Sequence, residues 1–244
     1  IELATALDQL RPDIVIAPVD RFESLAMGIT PALMNIHVAH IQGGEVTGTI
    51  DESIRHALTK LSHLHFVATE KSRERVIKMG ELPDMVFNVG CPGTDLLLRT
   101  PAWSMRDTLE KLNKEVIKGE KKLNIDKPYL LVIQHPVTTE FDSAARQITE
   151  TLEALRNFGE QIIILWPNID AGANEISRVL RKYTALPEYV SRTMILKHIP
   201  SEIFINTLRH SLCLVGNAST GVRVACYFGT PVVNIGSRQE GRER

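Results

Sequence analysis

Short apolar runs rich in Val, Ile and Leu alternate with stretches of helical spacing along most of this chain. That alternation marks βαβ units, whose crossover helices force neighbouring strands to run parallel. Strands are expected at Asp13–Ala17, His37–Ile41, His65–Ala68 and Met85–Val89, with helices at Phe22–Met34, Asp51–Ser62 and Glu70–Met79. A polar, Lys-rich stretch from Thr100 to Lys127, holding a surface helix at Met105–Lys118, interrupts the pattern and sets a domain boundary at 104/105. The alternation then resumes. Strands are expected at Tyr129–Gln134, Gln161–Trp166, Thr193–Leu196, Leu212–Val215 and Pro231–Ile235, and helices at Ala144–Phe158, Asn174–Lys182, Ser201–Leu208 and Thr220–Phe228. The fold class is therefore α/β: two Rossmann-like domains with parallel sheets, residues 1–104 and 105–244, with a ligand cleft between their carboxyl edges. The chain opens within a helix and stops soon after a strand and a Gly-rich loop, so both domains are expected to be incomplete.

Composition narrows the function classes. With 244 residues and a formal net charge of −1, the chain lacks the clustered cations that hold long nucleic acids. No apolar run approaches the roughly 20 residues that cross a bilayer. Cys91, Cys213 and Cys226 lie far apart without paired spacing; they read as reduced packing residues and favour the cytoplasm. Neither metal-ligand spacing nor a Gly-x-Ser-x-Gly elbow occurs, which disfavours metal and acyl-enzyme chemistry.

The densest chemistry lies between His37 and His56. An apolar strand there runs into a Gly-rich loop that opens a helix, the place where parallel sheets bind ligands. Gln42, Glu45, Asp51 and Glu52 can project from it. Asp51 also suits the cap of the helix it opens, and Arg55, one turn on, is placed to pair with it. Asp20 and Arg21 follow the first strand directly; Asp20 reads equally as a site acid or as a helix cap. His135, in Gln134-His-Pro136, closes the first strand of the second half and can titrate near neutrality or bond a phosphate, or simply be solvated. Gly216-Asn217-Ala218-Ser219-Thr220-Gly221, between strand and helix, looks like a phosphate cradle, with an N-cap serine beside a tight turn as the plainer account. Asn168 and Asp170 sit in a strand-to-loop turn that an Asx-turn explains as well. Arg238, in Gly236-Ser-Arg-Gln239, can fork onto a diphosphate.

The segments His40-Ile-Gln-Gly-Gly-Glu-Val-Thr-Gly-Thr-Ile-Asp-Glu-Ser-Ile-Arg-His56, Gln134-His-Pro-Val-Thr-Thr139, Pro167-Asn-Ile-Asp-Ala-Gly172 and Gly236-Ser-Arg-Gln239 occur in one order. Together they resemble the hydrolysing UDP-N-acetylglucosamine 2-epimerases of sialic-acid and related nonulosonate synthesis. The resemblance implies a glycosyltransferase-B type of fold with UDP held mainly by the second domain. It also implies elimination of UDP with loss of the C2 proton, a glycal-like intermediate, and addition of water to release a 2-epimerised free sugar. Neither metal nor nicotinamide cofactor is implied. The partner is a UDP-sugar, not nucleic acid or membrane, and a homo-oligomer, dimer or tetramer, is implied. By the same resemblance Asp20 and Asp51 match catalytic acids and His135 a histidine near the diphosphate. Ser219 and Arg238 match nucleotide-binding positions, and His198 one near the base or ribose. Arg21, Asn168, Asn217 and Thr220 join the UDP-sugar-binding set by position.

Three departures from the family pattern stand out. Gln42 replaces a catalytic Glu, which makes Glu45 the substitute acid–base candidate. Ala218 replaces a serine, and Val224 a ribose-binding Glu. Gln42 points to a different sugar, a UDP-linked 2,4-diacetamido-2,4,6-trideoxyhexose of the legionaminic-acid branch. Three other readings use the same residues: a non-hydrolysing 2-epimerase, a glycosyltransferase of the same fold, and an inactive UDP-sugar-binding relative.

Overall fold

The computed structural model describes residues 1–18, 20–115 and 121–243. They form two compact units, Ile1–Leu96 with Gly241–Glu243, and Leu97–Glu240. The division falls ahead of the expected boundary at 104, and three residues near the end of the sequence belong to the first unit.

The first unit begins with α1 (Glu2–Leu10) and continues through β1 (Ile14–Pro18), α2 (Phe22–Leu33), β2 (His37–Ile41), α3 (Ile50–Leu61), β3 (Leu64–Val67), α4 (Glu70–Lys78) and β4 (Val86–Asn88). Its four strands lie in chain order, all parallel. Strand period 2 selects which side chains are buried: in β1, Val15 and Ala17 turn inward while Ile14 and Ile16 are exposed. Ala17, Val38 and Leu58 make the core under α2 and α3. The side chains of Val67, Val76 and Val86 pack a second cluster under α4.

The second unit contains α6 (Met105–Glu115), β5 (Tyr129–Ile133), α7 (Ala144–Leu155), β6 (Gln161–Leu165), α8 (Ala173–Thr184), α9 (Pro187–Val190), β7 (Thr193–Leu196), α10 (Ser201–His210), β8 (Leu214–Gly216), α11 (Ser219–Arg223) and β9 (Val232–Asn234). Before these, α5 (Pro92–Arg99) spans the division between the units. The five strands are parallel in the order β7-β6-β5-β8-β9. This is the doubly wound pattern, with the strand order reversing at β5 and β8. Every residue of β5 is buried, as expected of a strand covered on both faces. Leu131 and Ile133 join the core with α6 and α10, while Leu130 and Val132 join the core with α7 and α8.

Most elements fall where the sequence places them, and β2 and β7 do so at both ends. Two helices were not legible. In α5 the first residue is Pro92, which is tolerated at a first helical position because its missing N–H has no partner there. In α9 a four-residue turn is too short to show periodicity. The helix expected at Thr220–Phe228 instead breaks at Val224 into α11 and a 3₁₀ turn at Ala225–Phe228. Residues 116–118 of the helix expected at Met105–Lys118 lie outside the described residues. Among the described residues no helix is long and apolar enough to cross a membrane.

Candidate functional site

In the second unit, the loops that leave the carboxyl ends of β5, β6, β7, β8 and β9 carry the candidate ligand groups. Gly216 sets the local geometry. Its φ is 142°, and a Cβ there would stand 2.0 Å from the Ile133 carbonyl oxygen, so only glycine lets β8 lie against the end of β5. Asn217 follows. Its amide N–H donates to Ile133 O at 3.0 Å, and its side chain brackets the His135 backbone. His135 N–H donates to Asn217 Oδ1 at 2.7 Å, while Asn217 Nδ2 donates to His135 O at 2.8 Å. The Asn217 side chain is thus turned inward, while its backbone carbonyl accepts from Arg238 Nη1 at 3.3 Å and Gln239 Nε2 at 2.9 Å. One buried residue, through its side-chain amide and its backbone carbonyl, therefore ties the strand-end histidine to the loop that carries Arg238.

His135 is not merely solvated. Burial, reinforced by the positive charge of Arg238, pushes its imidazole down to about 4, so it is neutral at pH 7. Asn168 N–H donates to His135 Nδ1 at 3.2 Å. With Nδ1 accepting, the ring proton sits on Nε2, which is then a hydrogen-bond donor. Asn168 also donates from Nδ2 to Asp170, in keeping with the local turn, while its Oδ1 is buried without a hydrogen-bond partner.

Of these groups His135 and Arg238 border a cavity of about 360 Å³ inside the second unit, while Asn168 and Asn217 stand behind its lining. His135, Lys197, His198, Ser219, Thr220 and Arg238 supply its polar wall; Ile133, Leu165, Trp166 and Phe204 supply its apolar one. Ser219 is not the cap of α11: that position belongs to Ala218, and no side chain caps the helix. Because α11 has only five residues, hydroxyls and cations outweigh any helix dipole here. Lys197, Trp166 and Phe204 escaped the sequence reading. Trp166 and Lys197 stand at the ends of β6 and β7, which was the available signal, and Lys197 Nζ lies 6.0 Å from the Trp166 ring centre.

The first unit gathers the acids. Asp20 does not cap α2: the cap position is Arg21, without a side-chain cap bond. Asp20 instead accepts from Arg55 Nη2. Arg55, whose helical spacing suggested Asp51, thus has its ion pair with Asp20. It is 1% exposed and also donates from Nη1 to the Glu45 carbonyl at 2.6 Å. Asp51 is not the cap of α3 either, a position held by Thr49; Thr49 Oγ1 donates to Asp51 Oδ2 at 3.0 Å. Beside it, Glu52 accepts from Thr47 N–H at 2.6 Å and stands 3.6 Å from His56. Burial holds the His56 imidazole below its ordinary value, although Glu52 opposes the shift.

Gln42 ends β2 in the left-handed region at φ 64°, and its Nε2 donates to Cys91 Sγ at 2.9 Å. Two residues on, Gly44 turns at φ 78°, where a Cβ would lie 2.4 Å from Ser72 O. Glu45 is paired with Arg242 at 3.9 Å. Arg21 lies on the exterior and pairs with Glu23 at 3.0 Å. Asp20 thus holds Arg55, which supports the loop that carries Glu45, and Asp51 is held by Thr49 at the start of α3, while His135, His198, Ser219, Thr220 and Arg238 share the cavity of the second unit.

A family model described as UDP-N-acetylglucosamine 2-epimerase matches residues 1–244. The chain is 40% identical over 233 residues to the UDP-N,N'-diacetylbacillosamine 2-epimerase (hydrolyzing) of Legionella pneumophila, covering 96% of this chain and 58% of that protein. It is 34% identical over 235 residues to the UDP-N-acetylglucosamine 2-epimerase of Neisseria meningitidis, covering 96% of this chain and 58% of that protein. Its fold is shared with the UDP-GlcNAc 2-epimerase of Methanocaldococcus jannaschii, solved in complex with UDP-GlcNAc and UDP. That match has a TM-score of 0.76 at 17% identity and covers 98% of this chain and 64% of that one. The Neisseria meningitidis enzyme bound to UDP-GlcNAc matches with a TM-score of 0.74 at 18% identity, over 98% of this chain and 64% of that one. The chain thus spans somewhat under two thirds of the length of these relatives.

Proposed function

The chain belongs to the UDP-N-acetylglucosamine 2-epimerase family, and from that premise we propose a hydrolysing 2-epimerase that converts a UDP-linked N-acetylated hexose to UDP and the free 2-epimeric sugar. The observation that carries this reading is the 40% identity, across 96% of the chain, to a relative whose name specifies the hydrolysing reaction. The same relative favours UDP-2,4-diacetamido-2,4,6-trideoxyhexose over UDP-GlcNAc as substrate, and so the legionaminic-acid branch. A homo-oligomer in the cytoplasm belongs to the same proposal.

The chemistry assigns work to each unit. In the first half-reaction the C2 proton passes to a base and the C1–O bond to UDP breaks, leaving a C1=C2 glycal. Water then adds hydroxyl at C1, and an acid delivers a proton to C2 on the opposite face. Two acid–base groups are required, and Asp20, Glu45 and Asp51 are the carboxylates we assign to them. Gln42 carries an amide that cannot accept a proton at neutral pH, so it orients substrate instead. In the second unit the cavity holds UDP. Neutral His135 donates from Nε2 to the departing diphosphate, and Arg238 and Lys197 offset the charge that develops on it. Ser219 and Thr220 add hydroxyl contacts to phosphate, and Phe204, Trp166 and His198 meet the nucleoside.

Incubation of the protein with UDP-GlcNAc and with the diacetamido UDP-sugar in deuterium oxide tests the proposal. UDP and free sugar should appear together, with deuterium at C2. An intact UDP-linked epimer would place the protein in the non-hydrolysing branch; UDP release only with an added acceptor would mark a glycosyltransferase; UDP binding without turnover would mark an inactive relative.

A further inference from the structure

Residues Gly241–Glu243 lie in the first unit although they come from the far end of the sequence. Gly241 and Arg242 lie against the loop between β2 and α3, and Glu243 against α4. Glu243 accepts from Thr69 Oγ1 at 2.8 Å and stands 3.6 Å from Arg75. Gly241, at φ 73°, packs so close that an added Cβ would lie 3.2 Å from Val46 Cγ1. Between them, Arg242 Nη1 lies 3.9 Å from Glu45 Oε2.

The loop already has backbone anchors. Arg75 donates to the Gly44 carbonyl, Arg55 donates to the Glu45 carbonyl, and Thr47 N–H donates to Glu52. These bonds fix the main chain but say nothing about where the Glu45 carboxylate points. The Arg242 guanidinium stands 3.9 Å from that carboxylate, and both side chains are largely withdrawn from water, at 9% and 13% exposure. A charge pair so placed is weakly screened and directs a side chain even without a close fork of hydrogen bonds.

We infer that Arg242 is a positioning residue: the Gly241–Glu243 segment clasps the loop, and Arg242 holds the Glu45 carboxylate in the orientation needed for proton transfer. The catalytic half of this inference rests on the reading of Glu45 as an acid–base group; the clasp does not.

The test compares Arg242→Met, Arg242→Lys, Glu45→Gln and the Arg242→Met/Glu45→Gln double variant in the whole protein. Arg242→Met is expected to lower kcat about tenfold, as small misplacements of a reacting group do, with KM for the UDP-sugar unchanged. Arg242→Lys should recover most of the loss. In the Glu45→Gln background, Arg242→Met should cost little more, because its partner charge is gone. Losses that simply multiply, or a raised KM at unchanged kcat, overturn the positioning role. Amide hydrogen exchange across residues 43–49 reads the clasp without turnover. It should quicken in Arg242→Met and not in Arg242→Lys, and unchanged exchange in both overturns the inference. A protein that releases no UDP at all defeats the epimerase reading alone, and the exchange measurement then decides the clasp.

Discussion

At the scale of single residues, the candidate site depends on charges that are either paired or kept neutral. His135 has a folded-state value near 4 against about 6.5 in the unfolded chain. Between those two values the unfolded state binds more protons, so stability contributed by the neutral imidazole is complete above pH 6.5 and lost as pH falls towards 4. The loss amounts to about 3 kcal/mol. Urea titrations of the ligand-free protein at pH 7 and pH 4.5 should show this decline, and His135→Asn should flatten it; a variant with the same pH slope would assign the decline to other groups. Asp20 poses the opposite case. It neutralises Arg55, which is 1% exposed, so Asp20→Ala strands a buried guanidinium and should cost about 3 kcal/mol of first-unit stability. Asp20→Asn keeps a hydrogen-bond acceptor and should fold better while still lacking turnover. Equal stability losses in the two variants, read by thermal unfolding, would show that the lost charge, common to both, sets the whole cost and that the retained hydrogen-bond acceptor does not matter. The sequence brought Asp20 and Arg55 into view separately but matched Arg55 with Asp51. Helical spacing reveals only neighbours on one helix, whereas the true partner follows a different strand.

At the scale of elements, the position of the site was legible because periodicity and glycines locate the carboxyl ends of strands. The stretches ending at Ile41, Ile133 and Leu196 were read to within a residue, and the loops after them hold Gln42, His135 and His198. What stayed hidden was length. Gly221, Val222 and Val224 are weak helix formers, and α11 ends at Arg223 where an extended helix was expected. Caps were misread for a related reason: Asp20 and Asp51 have the residue type of a cap, but their side chains found Arg55 and Thr49 instead. The junction of β5 and β8 is the element on which the cavity depends most. Gly216→Ala would force a Cβ to within 2.0 Å of the Ile133 carbonyl at a φ that L side chains avoid. Relief must separate β8 from β5, at a cost of about 2–4 kcal/mol. Because Asn217 carries the His135 backbone, the same variant should lose UDP affinity in calorimetry. Normal stability with normal UDP binding would show that the strand junction tolerates the added carbon.

At the scale of the whole molecule, each unit possesses its own apolar core, and the assignment of UDP to the second unit has a consequence that needs no turnover. A ligand that binds only the folded form of one unit stabilises that unit by RT ln(1 + [L]/Kd), about 2.7 kcal/mol at a hundredfold excess over Kd. For a unit of this size that corresponds to roughly 5–10 °C in midpoint. Scanning calorimetry with added UDP should therefore move the transition of the second unit upward. Hydrogen exchange should assign the gain to the ends of β5 and β8 and to the loop that carries Arg238, all of which border the cavity. The loop from Gln42 to Thr49 should respond little to UDP alone, since its one carboxylate, Glu45, is assigned to the sugar. Protection that appears there while the cavity residues exchange as before would move the nucleotide to the first unit. His135 would then lose its part in leaving-group departure, because its donor would face no diphosphate.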